Sequence, residues 1–87
     1  MSLRRVNGFE IYLSSGEIMR HAANSEDVDR LYGAFVEYGS DPSKHIFLFQ
    51  FDYPFHKPNV ITEKRTSICV DFNNVELISR YIETFEV

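Results

Sequence analysis

The chain has few of the residues that staple or stiffen a small protein: of its 87 residues, one is cysteine, none is tryptophan, four are glycine and three are proline. The single thiol, Cys69, excludes a disulfide within the chain. With no secretory leader read at its start, a lone cysteine points to a reducing, cytoplasmic setting. No apolar run approaches the roughly 20 residues that cross a bilayer as a helix, so membrane partners are not expected. The glycines are isolated turn residues and form neither a phosphate-cradling loop nor a dinucleotide fingerprint. Repeats, low-complexity tracts and linkers are also missing. A single domain over residues 1–87 is therefore expected, with a thin core for its size.

Positive charge is sparse as well. Nine Lys and Arg stand against 13 Asp and Glu, giving a net charge of −4. The basic residues are scattered (Arg4 and Arg5, Arg20, Arg30, Lys44, Lys57, Lys64 and Arg65, Arg80), whereas phosphate binding relies on clustered cations. This pattern disfavours nucleic acid as a partner. What the chain does have is aromatic mass, with eight Phe and five Tyr making up 15% of it. Disordered segments are poor in such residues, so the chain should fold.

The pattern along the chain predicts an α+β domain. Phe9, Ile11 and Leu13 alternate with Glu10, Tyr12 and Ser14, which is the period of a half-buried strand. Ser15-Gly16 is a tight turn, and residues 17–23 return, completing an N-terminal β-hairpin. Asn24 and Ser25 offer N-cap oxygens, and Glu26 and Asp27 suit the positive end of a helix dipole. Val28, Leu31, Tyr32, Phe35 and Val36 then form one apolar stripe, so an amphipathic helix is expected over about residues 26–38. Gly39 is placed to end it in a left-handed conformation, ahead of Asp41-Pro42.

A mainly antiparallel sheet should follow, in a ββαβββ-like order, with closure into a small barrel as the alternative to an open sheet. Residues 45–53 form its most hydrophobic strand, apolar on both faces at first, with Ile46 and Leu48 on one side and Phe47, Phe49, Phe51 and Tyr53 on the other. Residues 54–59 read as an aromatic connection punctuated by proline, 60–62 as a short strand and 63–65 as an exposed turn. Residues 66–72 alternate again, with Ile68, Val70 and Phe72 inward. Residues 75–85 fit either helix or strand, and their β-branched and aromatic end favours strand.

Catalytic signatures are sparse. His21, His45, His56, Cys69 and Asp52 lie on different elements, with none of the close pairings that metal sites show, so neither a metal nor a cofactor is expected. Cys69 alternates with Ile68 and Val70 and has no cationic neighbour in sequence to activate it. The chain is thus more readily a binding protein than an enzyme. Tyr53, Phe55, His56 and Lys57, bracketed by Pro54 and Pro58, are the candidate contacts for a protein or small-molecule partner. A second patch is suggested by Tyr12 with Met19 and His21.

Self-association is the other expectation. One helix covers one sheet face, and a strand apolar on both faces needs a second cover. Phe47, Phe49 and Phe51 are the interface residues expected in a homo-oligomer. The function expected is a non-catalytic interaction or ligand-binding module, accessory or regulatory in role. The alternative is a small enzyme whose site forms between subunits from histidines and carboxylates.

Overall fold

The computed structural model describes residues 3–57 and 60–86, and within them not the side chains of residues 4, 53–57, 60–64 and 85. The described residues form one α-helix and five strands: β1 (Leu3–Leu13), β2 (Ile18–Ala22), α1 (Ser25–Ser40), β3 (Ile46–Lys57), β4 (Val60–Asp71) and β5 (Val75–Glu86). The α+β order ββαβββ is as expected, and the C-terminal segment is strand. The strands make two antiparallel sheets, β2-β1-β5 and β3-β4, which do not close into a barrel.

Four local expectations are corrected. The helix runs on through Gly39 to Ser40 and stops at Asp41, whose backbone is extended (φ −139°) ahead of Pro42. The Asp41 carboxylate then accepts from the Ser43 amide at 3.1 Å and the Ser43 hydroxyl at 2.6 Å. Residues 54–57 and 63–65 are neither loop nor turn but lie in the β3–β4 ladder, where Pro54 faces Glu63 and Lys57 faces Val60. The ladder's phase explains why a proline is tolerated. The His45 carbonyl accepts from the Phe72 amide at 2.7 Å, so odd residues of β3 bond toward β4 and even ones point away. Pro54 is even, and its missing N–H removes no ladder bond. Finally, Asn24 takes the N-cap position without a side-chain bond, and Val36 is exposed.

Phe9, Ile11 and Ile78 from the first sheet, Phe49, Phe51 and Val70 from the second, Val28 and Leu31 from α1, and Phe72 build one core. Phe9 meets Phe49 and Phe51 at ring-centre distances of 5.4 Å, while Phe72, just before β5, stacks on Phe47 at 5.9 Å. Since β5 at Val75 pairs with β1 at Leu13, β3 runs opposite to β1. The far halves of both ladders therefore leave the core at the same end. The molecule is accordingly long, 47 × 21 × 21 Å. Leu3 on the projecting part of β1 is 72% exposed.

Candidate interaction surface

Residue alternation sorts the strands into an inner and an outer face. On β3, Phe49 and Phe51 are buried and Phe47 is half-buried, all against the chain's own core. The expected interface residues Phe47, Phe49 and Phe51 thus face inward. The outer face of the same strand carries Ile46 and Leu48, 56% and 61% exposed, beside the exposed Cys69 opposite Leu48. The sequence held a signal for this. The odd residues stay aromatic from Phe47 to Tyr53, while the even ones turn polar at Gln50 and Asp52, as an outer face does.

The first sheet has its own outer face. Tyr12 pairs with Ile18 on one side and Leu77 on the other, so these three form an apolar row across all three strands. Met19 and His21 do not join Tyr12. They pair with Ile11 and Phe9 on the core face, where His21 lies 5.8 Å from the Phe51 ring. Further along the outer face Tyr81 lies across Gly8. Added there, a methyl would overlap the Tyr81 ring and come within 2.5 Å of the His21 carbonyl oxygen, so only glycine fits. The Arg20 guanidinium carbon sits 4.1 Å above that ring and the group pairs with Glu83. Tyr81 first, then Glu83, hold the Arg20 pKa above its ordinary value.

Helix α1 lies against one edge of each sheet. Its Tyr32 hydroxyl donates to the Ile78 carbonyl of β5 at 3.0 Å, and its Arg30 guanidinium donates to the Gln50 carbonyl of β3. Both acceptors point away from their ladders, so α1 covers backbone groups that would otherwise be open. Strand β4 packs along β3 and has no second strand neighbour among the described residues.

Of the titratable candidates, His45 meets one acid. Its Nδ1 lies 3.1 Å from an Asp71 carboxylate oxygen that also accepts from the Asn73 amide at 3.0 Å. The His45 bond, then the Asn73 amide, hold the Asp71 carboxyl below its ordinary pKa. This pair ties the start of β3 to the end of β4. Among the described residues no three His, Cys, Asp or Glu side chains gather as metal ligands would. Tyr53, Phe55, His56 and Lys57 have their backbone in β3, and their side chains lie outside the described residues. Compared with known proteins, the chain matches no family model, no curated protein and no solved structure.

Proposed function

We propose that this chain is a non-catalytic interaction module, accessory or regulatory in role, that works in the cytoplasm as a homo-oligomer. The observation that carries this reading is unspent surface. The chain exposes 6075 Å² at 10.2 kDa, against about 5300 Å² for a compact monomer of that mass. Its radius of gyration is 14.5 Å where about 12 Å is usual for 87 residues. The excess, roughly 750 Å², is close to the area of about 800 Å² that each partner buries in a standard interface. A second copy is the occupant proposed.

Tyr53, Phe55, His56 and Lys57 are proposed as the contacts for a further protein or small-molecule partner, on their aromatic, proline-bracketed sequence. An enzyme with a site between subunits is less well supported. It needs histidines and acids together, and the one described pair, His45 and Asp71, is committed to joining two strands.

Native mass spectrometry of the purified chain tests the proposal. A discrete oligomer is expected, and a bare monomer at tens of micromolar would overturn it.

A further inference from the structure

Resting on the homo-oligomer reading, we infer that two copies join through the open edges of β4, antiparallel about Ile68, into one four-stranded sheet β3-β4-β4-β3. The hydrogen-bond phase comes first. Even residues of β4 bond to β3, as the Phe72 amide bonds to the His45 carbonyl. The amides and carbonyls of Arg65, Ser67, Cys69 and Asp71 therefore point out of the sheet. Four alternate residues with outward backbone groups on an open edge form a template for another strand.

Charge then selects the partner and the register. Reading outward from Ile68, the strand places Arg65 three residues before it and Asp71 three after, with Thr66, Ser67, Cys69 and Val70 between. Antiparallel pairing of two copies about Ile68 sets Arg65 opposite the partner's Asp71, twice. Ser67 then faces Cys69, and the β-branched Thr66 and Val70 face each other. Opposite charges directly across a ladder stabilise it and like charges weaken it. Moving the centre to Ser67 instead sets Glu63 against Asp71, two acids at one level. Centring on Cys69 sets Arg65 against Asn73, so the second copy offers its charge no acid. All of the facing residues keep the same sheet face in the Ile68 register, so Ile46, Leu48 and Cys69 of both copies share one continuous outer surface. Within its own ladder Arg65 faces Asp52, with no ion pair formed among the described residues, so its guanidinium stands between Asp52 and the partner strand's Asp71.

The test uses cysteines to read the register. A hydrogen-bonded antiparallel pair holds its Cα atoms about 5.5 Å apart, inside the disulfide range of about 4.4–6.8 Å. Wild type, bearing Cys69, is mixed with a differently tagged Ser67→Cys/Cys69→Ser variant, oxidised mildly and run on a non-reducing denaturing gel. Because Ser67 and Cys69 are both exposed on the outer face, the exchange leaves the core untouched. The mixed pair is expected to crosslink in most of the mixed dimers. Each protein by itself should not, since its own thiols sit two residues apart across the two-fold.

Crosslinking of wild type by itself would place the centre at Cys69 and overturn the register. An oligomer by sedimentation that never crosslinks in the mixture would overturn the β4 interface while leaving the homo-oligomer reading intact. A monomer by sedimentation would overturn both.

Discussion

The hydroxyl of Tyr32 donates to the backbone carbonyl of Ile78 at 3.0 Å, joining the middle of the helix to the edge of β5. The bond occupies an acceptor that the β1–β5 ladder leaves pointing outward. Tyr32→Phe keeps the ring against the core and removes only this bond. A net protein hydrogen bond is worth about 0.5–1.5 kcal/mol, so urea unfolding should show a loss of about 1 kcal/mol with an unchanged slope. A loss under about 0.3 kcal/mol would mean that water serves the carbonyl equally well.

Neighbouring residues of β3 should respond in opposite ways. Phe49 is fully buried among Phe9, Phe47 and Phe51. Phe49→Ala is expected to cost about 3–5 kcal/mol, enough to threaten folding. Leu48→Ser, on the exposed face, should change the unfolding free energy of the dissociated chain by less than about 0.5 kcal/mol. In the edge-joined dimer Leu48 stays on the open outer face, so dissociation on dilution in size-exclusion chromatography should be unchanged as well.

Asp71 sets a pH dependence whose sign is fixed. Its carboxyl is held below its ordinary pKa by His45 and the Asn73 amide. A depressed folded-state pKa gives stability that is present above the unfolded value, about 3.9 for Asp. That stability is lost as pH falls through the folded value. Asp41 behaves alike, through the Ser43 hydroxyl and then the Ser43 amide. Thermal unfolding from pH 7 to pH 2 should show the wild type losing stability below about pH 4, by Asp's unfolded pKa. Asp71→Asn should be less stable at pH 7 and fall less steeply in acid.

Arg65→Asp should weaken self-association, and because the residue also faces Asp52 in its own ladder, the unfolding of the dissociated chain is measured beside it. In the Ile68 register it replaces both opposite-charge pairs with facing acids. Cross-strand pairs are each worth about 0.2–1 kcal/mol, so losing two of them corresponds to a dissociation constant raised by about 2- to 30-fold. Sedimentation equilibrium at low salt reads it directly. An unchanged constant would remove Arg65 and Asp71 from the interface.

Much of this architecture was legible in the residues. Alternation at Phe9, Ile11 and Leu13, the Ser15-Gly16 turn (Gly16 φ 93°) and the stripe through Val28, Leu31 and Tyr32 each describe local periods that tertiary packing did not disturb. The errors arose where one local signal competed with ladder geometry. Pro54 reads as a strand breaker until the phase of β3 is known, because its harm depends on which way its nitrogen points. Gly39 reads as a helix stop, yet Asp41-Pro42 two residues on supplies the stop. The two-faced apolarity of β3 correctly signalled uncovered surface, but which face stays outside depends on partners more than 15 residues away. Neither the edge cover by Tyr32 and Arg30 nor the open edge of β4 can be read from periodicity, since both depend on how separate elements meet.

Amide hydrogen exchange at β4 tests the central claim, that a second copy closes this edge, at single residues. Ile68 and Val70 bond toward β3 and should be protected at every concentration, whereas Ser67 and Cys69 point outward. The Ser67 and Cys69 amides are expected to become protected as the protein is concentrated from nanomolar to tens of micromolar. Exchange of those two amides at unprotected rates throughout, with Ile68 and Val70 still protected, would contradict it.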